Sequence, residues 1–186
     1  IWGAWLPLLG QFLGAHRGFE GGQIGWIFAV GAIGAILAPF IAGQIADRYF
    51  ATEKYLGMSH IIGGILVWQL ADITTFNGFL LFSLAYSLVY SPTLSLTNSL
   101  SFHHLPDRDK DFGKVRLWGT VGWIAAGIGI GQWLLNQYTP AGLSDEALNK
   151  VRLAGMADAF KLSSLLGIAM GLYCITLPHT PPSKGQ

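Results

Sequence analysis

Gln23-Ile-Gly-Trp-Ile-Phe-Ala-Val-Gly-Ala-Ile-Gly-Ala-Ile-Leu-Ala-Pro-Phe-Ile-Ala-Gly-Gln-Ile-Ala-Asp47-Arg48 carries no charged side chain until its last two residues. About 20 consecutive apolar residues in a helix cross the hydrocarbon core of a bilayer. Residues 23–45 are therefore predicted to span a membrane, with the charges that close the run at its polar surface. Apolar and polar side chains do not alternate here, as they must in the strands of about 10 residues that build a membrane barrel. The fold class this run points to is helical.

The same pattern recurs on both sides of it. Spans are expected at about 1–14, 55–72, 78–100, 116–137 and 161–177, which with 23–45 gives six transmembrane helices and an all-α membrane protein. The composition agrees: the 186 residues are 52% hydrophobic and 11% charged, against about 25% charged in soluble domains. The lipid bilayer is thus an expected partner. The 25 glycines and 8 prolines suit a bundle in which small residues let helix backbones approach closely. Gly63, Gly64, Gly127, Gly129 and Gly131 are expected to serve in that way.

Several functions are not called for. Cys174 is the only cysteine and lies in an apolar run, so neither an internal disulfide nor a Cys/His metal site is expected, and no cofactor is implied. A net charge of +1 offers no basic patch for nucleic acid. The chain holds no nucleophile with a base and an orienting group, so it does not read as an enzyme. Ile1 already belongs to an apolar helix and no charged segment precedes it, so the start of the first span is expected to be truncated.

Charge also predicts orientation. Arg48, Lys54, Arg108, Lys110, Lys114, Arg116 and Lys184 lie on one side of the six spans, whereas Arg17, Lys150, Arg152 and Lys161 lie on the other. The positive-inside rule places the first set in the cytoplasm. The one long connection, residues 138–160, contains Ser144-Asp-Glu, a helix N-cap followed by first-turn acids. Leu148, Val151 and Met156 would then form the apolar stripe of a short helix covering the bundle.

Polar side chains within spans are the candidates for function. Arg116, Thr120 and Trp123 fall at i, i+4 and i+7, on one helical face. Arginine costs about 2.5–3.5 kcal/mol at the centre of a spanning helix, so it faces a polar cavity or partner unless it snorkels to the surface. Asn98 is placed to hold the guanidinium without adding charge, and Tyr90 and Thr93 flank the kink expected at Pro92. His60 titrates near neutral pH when unperturbed, yet a hydrogen-bonded packing role suits it equally.

Gly43-Gln-Ile-Ala-Asp47-Arg48 follows the second of the six spans and resembles the G-x-x-x-D-R loop of the major facilitator superfamily. That motif usually continues with a glycine and two bases, whereas Tyr49-Phe-Ala-Thr-Glu53-Lys54 follows here. The departure is similar to the nucleoside permease branch, the nucleoside:proton symporters. So are Trp2-Gly-Ala-Trp5-Leu, Tyr90-Ser-Pro92-Thr93-Leu-Ser-Leu-Thr-Asn98, Arg116-Leu-Trp-Gly-Thr120-Val-Gly-Trp123 and Leu177-Pro-His179-Thr-Pro181.

The resemblance implies a transporter of two six-helix halves in a bacterial inner membrane. Residues 1–181 would form its N-terminal half and 182–186 would begin the central cytoplasmic linker. The missing C-terminal half would complete a midplane site for a small-molecule substrate, a nucleoside, taken up with a proton by alternating access. It further implies that Arg116, Thr120 and Trp123, with Asn98 and Tyr90, bind substrate, and that Gly43, Asp47 and Arg48 govern conformational gating. Trp123 departs from the phenylalanine common at that position in the family. An Arg and an aromatic seven apart also resemble the sugar-binding pair of lactose permease, so a sugar or other small metabolite remains an alternative. A non-transporting membrane receptor or membrane enzyme on a similar bundle is the third.

The orientation has a direct check. With Cys174 replaced, single cysteines at Thr52 and Lys110 are expected to be shielded from an impermeant thiol reagent added outside sealed cells, and one at Asn149 to react. Labelling of the Thr52 position from outside would invert the topology.

Overall fold

The structure, a computed structural model, describes residues 1–41, 44 and 47–182, except for the side chain of Asp47. Gly43 and positions 183–186 of the expected linker lie outside the described residues. The first span comprises α1 (Trp2–Trp5), a 3-10 turn (Leu6–Leu8), α2 (Leu9–Gln11) and a π turn (Phe12–His16). Next come α3 (Gly21–Ile41), α4 (Asp47–Tyr49), α5 (Thr52–Asp72), α6 (Phe76–His104), α7 (Arg108–Gln137), α8 (Asp145–Gly155) and α9 (Ala157–Cys174). The expected spans correspond to the composite first span, α3, α5, α6, α7 and α9. By length and composition alone, α3, α6 and the helical stretch from Asp145 to Cys174 suffice to cross a membrane. The interiors of α5 and α7 are diluted by glycine, tryptophan and, in α5, His60.

Two differences from the expected spans have local causes. Pro7 stands at the start of the 3-10 turn, and a proline has no N–H to give and crowds the preceding turn, so the first span cannot run as a regular α-helix. It ends with the Arg17 N–H bonded to the Phe12 carbonyl at 3.0 Å, a π-type closure. Helix α7 begins at Arg108 rather than at residue 116. Asp107 caps it by accepting the Lys110 N–H at 3.2 Å, and Asp109 and Asp111 lie in the first turn, where carboxylates favour the helix dipole. Arg116 is therefore inside a formed helix, not at its start.

Helix α8 forms with Ser144 as N-cap, accepting the Ala147 N–H at 3.4 Å. Met156 is buried and Leu148 and Val151 are half-buried as the stripe requires, while Leu153, outside the expected stripe, is buried as well. These residues close over the end of the first span, whose Phe12 packs on Phe160 with ring centroids 4.7 Å apart. The first span reaches into the core, with Ala4, Phe12 and Leu13 wholly covered, and α5 is the helix with the most buried residues. Cys174 packs in a second cluster with Tyr55, Leu56 and Leu96, as a small core residue.

Helices α5 and α9 touch through backbone. A Cβ at Gly171 would stand 2.7 Å from the Gly57 carbonyl oxygen, and one at Gly167 would stand 3.3 Å from the Gly64 Cα. Gly167 and Gly171 form a G-x-x-x-G pair, the arrangement that brings membrane helices close when hydrophobic burial supplies no drive between them. Gly63 and Gly127 also lie in contacts, whereas a Cβ added at Gly129 or Gly131 would meet nothing within 4 Å, so these two are not packing residues. Outside the bundle, Trp26, Ile36, Phe40, Leu165 and Leu172 remain exposed, an apolar exterior suited to lipid.

Gly171→Ala is expected to destabilise the half by about 1–3 kcal/mol, because neither backbone can withdraw. Gly129→Ala, in open space, is expected to be neutral or slightly stabilising. Thermal unfolding of the two variants in detergent distinguishes them; equal midpoints would mean that the α5–α9 contact is not tight.

Candidate functional site

Helix α7 presents Arg116, Thr120 and Trp123 on one face, as their spacing requires, and all three are exposed. Trp123 keeps 41% of its surface free, so its indole is available to a partner. The Thr120 hydroxyl donates back to the Arg116 carbonyl at 3.4 Å, a weak bond that a better acceptor would displace. The expected Asn98–Arg116 hydrogen bond is not formed among the described residues, and Asn98 stands half-buried on α6. Thr93 donates to the Tyr90 carbonyl at 2.6 Å within α6, which makes it a packing residue.

Tyr90 is buried, within an aromatic layer the sequence did not reveal. Its ring stacks on Tyr86, with centroids 5.1 Å apart at 19°, lies 4.9 Å from Trp2, and meets His60 edge-on at 5.7 Å. The Trp2 indole N–H donates to the Tyr86 hydroxyl at 2.8 Å. His60 is buried and its Nδ1 has no hydrogen-bond partner among the described residues. Helix α1 joins this layer to α7, because a Cβ at Gly3 would stand 2.6 Å from the Trp123 carbonyl oxygen. Trp2 and Trp123 thereby flank one crossing.

A second arrangement lies at the end expected in the cytoplasm. Glu53 reads in the sequence as a loop acid, yet it occupies the first turn of α5 with 5% of its side chain exposed. Its two oxygens accept His179 Nδ1 at 2.8 Å and the Thr180 N–H at 3.0 Å. The Thr52 N–H returns a bond to the Thr180 carbonyl at 3.1 Å, and His104 Nε2 lies 2.9 Å from the Thr180 hydroxyl. The segment after α9 is thus clasped to the start of α5 and the end of α6. Thr52 is covered by this clasp, which leaves Lys110 as the better-exposed labelling position of the pair. Burial raises the Glu53 pKa, but the hydrogen bonds from His179 and Thr180 outweigh it and hold the carboxyl below its ordinary range.

At the opposite end Asp158, in the first turn of α9, accepts the Trp133 indole N–H at 3.0 Å and the Tyr138 hydroxyl at 2.7 Å, fastening α7 to α9. No group of His, Cys, Asp and Glu able to hold a metal ion occurs among the described residues.

A buried, irregular first span packed among α3, α5, α6 and α9, with α7 held against it and open on its polar face, is the six-helix N-terminal half of a major facilitator type transporter. The chain belongs to the nucleoside H+ symporter family, whose profile matches residues 1–186. It is 42% identical over 184 residues to the putative nucleoside transporter YegT of Escherichia coli K12, covering 99% of this chain and 40% of that protein. It is 30% identical over 190 residues to the nucleoside permease NupG of the same organism, covering 100% of this chain and 41% of NupG. Crystal structures of NupG superpose on the whole chain with TM-scores of 0.81 and 0.79 at 30% identity, over 42% of the NupG chain. The chain thus spans about two-fifths of the length of these relatives. Both relatives are named as transporters of nucleosides.

A carboxyl whose folded pKa lies below its unfolded value contributes stability above the unfolded value and loses it as pH falls through the folded one. Glu53→Ala, which also orphans the buried Thr180 N–H, is expected to cost about 1–3 kcal/mol at neutral pH. The gap between wild type and variant is expected to narrow as pH falls below the ordinary carboxylate range. A pH series of unfolding midpoints checks this, and a gap constant down to acid pH would show that Glu53 acts without its charge.

Proposed function

We propose that this chain forms the N-terminal half of a secondary active transporter that takes up nucleosides with protons, by alternating access, across a bacterial inner membrane. The observation that carries the proposal is the open face of α7, where a guanidinium, a hydroxyl and an indole share one stripe of a helix that touches the rest of the chain mainly at α1. A nucleoside combines a flat base with ribose hydroxyls. Trp123 offers the base a stacking face, Arg116 offers five donors, and Thr120 offers a donor and an acceptor. Asn98 and Tyr90 belong to the same site in this proposal. The relatives named for nucleosides support the substrate class.

The rest of the transporter, beyond this chain, supplies the facing wall of the site. Among the described residues the carboxylates, including the hydrogen-bonded Glu53, Asp107, Asp111, Glu146 and Asp158, lie in loops or at the ends of helices and not at mid-span. The carboxylate that titrates during symport is therefore assigned to that other part. Gly43, Asp47 and Arg48, in the connection between α3 and α5, act in switching between conformers and not in binding; Arg48 belongs to the short helix α4.

Losing a charge-assisted hydrogen bond removes about 1.5–3 kcal/mol, roughly ten- to a hundredfold in affinity. Arg116→Ala in the full-length protein is expected to lower nucleoside affinity by that factor and nearly abolish uptake. Lysine restores it only in part, lacking the planar fork. Trp123→Phe retains transport, whereas Trp123→Ala loses it. Isothermal titration with uridine, adenosine and a disaccharide checks the set: tight binding of the disaccharide alone would select the sugar alternative, and wild-type affinity in Arg116→Ala would make Arg116 an interfacial anchor.

A further inference from the structure

We propose that Trp2 is a specificity-determining residue of the substrate site, held in place by Tyr86. The inference rests on the nucleoside reading above and adds to it a second aromatic wall, contributed by the first span, that favours two-ring bases over one-ring bases.

Three observations carry it. Trp2 is only half-buried, whereas its neighbours in the aromatic layer, Trp5, Tyr86 and Tyr90, are buried. Its ring is nevertheless fixed at both edges, through the 2.8 Å bond from its indole N–H to the Tyr86 hydroxyl and through contact with Tyr90 at 4.9 Å between centroids. The next residue, Gly3, abuts the backbone of Trp123, so the one indole on α1 that keeps free surface stands one residue from the α1–α7 crossing. The height is appropriate too. Tyr90 lies near the middle of α6, Trp123 near the middle of α7, and the small gap beneath Tyr86 and Tyr90 is lined by His60, Gly63, Gly64 and Gly167 from the middles of α5 and α9. Substrates in transporters of two helical halves bind near the midplane.

The chemistry follows from ring area. A purine covers more of an aromatic wall than a pyrimidine does, so a wall at Trp2 strengthens adenosine binding more than uridine binding. A residue that merely filled space in the bundle would change both affinities together, through the fraction of folded protein. The ratio of the two affinities therefore separates a specificity role from a packing role. Tyr86 does not touch substrate in this scheme and is a positioning residue, acting only through the Trp2 indole N–H.

The test uses the full-length transporter and isothermal titration with adenosine and uridine. Trp2→Ala is expected to weaken adenosine about three- to tenfold while changing uridine less. Trp2→Phe, which loses the indole N–H and the second ring but keeps a six-membered ring, is expected to shift the ratio the same way by less, and it carries the test if the alanine variant fails to fold. Tyr86→Phe should shift the ratio in Trp2 protein and have no further effect in Trp2→Ala protein, since the hydrogen bond it removes is already gone. Arg116→Ala is measured beside them. If Arg116→Ala loses nucleosides but the adenosine-to-uridine ratio is unchanged in both Trp2 variants, this inference falls and the nucleoside reading stands. If the wild-type protein binds neither nucleoside, both fall together.

Discussion

Close backbone contact at glycine is the constraint on which the bundle depends. Lipid tails are as apolar as the side chains facing them, so helices in a bilayer gain little from burying apolar surface against one another and associate through van der Waals packing at short range. Gly57 and Gly64 on α5 meet Gly171 and Gly167 on α9 in that way, and Gly3 meets the Trp123 backbone across α1 and α7. These contacts fix the height of α5 against α9 and that of α1 against α7. The aromatic layer links the two pairs through α6, where Tyr86 and Tyr90 meet Trp2 of α1 and His60 of α5.

Polar groups inside the bundle are paired mainly with backbone. Ser87 donates to the Gly31 carbonyl at 3.1 Å, Ser163 to the Ile1 carbonyl at 3.2 Å, and Arg17 to the Ala71 carbonyl at the opposite end of α5 from Glu53. Among the described residues, buried side-chain atoms without a partner include Trp5 Nε1, His60 Nδ1 and Ser164 Oγ. Trp5 packs edge-on against Tyr86 at 5.7 Å, His60 meets Tyr90, and the Ser164 carbonyl lies against Gly64. These three lie around the same layer as Trp2, while a fourth unpaired atom, Arg17 Nε, lies near the Ala71 end of α5.

The features legible in the sequence were those encoded by local spacing. Apolar run length located α3, α5, α6 and α9 to within a few residues, the Ser144 cap marked α8, and the i, i+4, i+7 stripe on α7 survived because a helix face depends only on its own residues. Residues 108–114 were missed as helix because hydropathy discounts them, although Asp107 caps the helix and Asp111 pairs with Lys114 at 2.7 Å. The irregularity of the first span, which holds Pro7, Gly10 and Gly14, was not read from the sequence, because the choice between kink, 3-10 and π turn is made by what packs around it. Glu53 with His179 and Trp2 with Tyr86 left no trace in spacing, since those partners are 126 and 84 residues apart. Gly129 and Gly131 show the converse: a glycine pattern suggests contact, and only the fold shows which glycines make it.

Helix α7 shows how a lightly packed element can still present a site with precision. It is fastened at one end where Phe112 stacks on Phe102 at 4.3 Å, at the other where Trp133 and Tyr138 converge on Asp158, and in the middle where Gly3 meets Trp123. Between those points Leu117, Trp118, Val121 and Ile124 are exposed. Three fixed points along a stiff rod determine its axis and rotation, so Arg116, Thr120 and Trp123 hold their spacing without support from a surrounding core. In the function proposed above, alternating access by rocking one half against another requires that of a half-site, because a site that deformed as the halves moved would lose its substrate before release. On that proposal the open flanks of α7 and its three fixed points serve one requirement, a surface free to meet a moving partner on a helix held along its length.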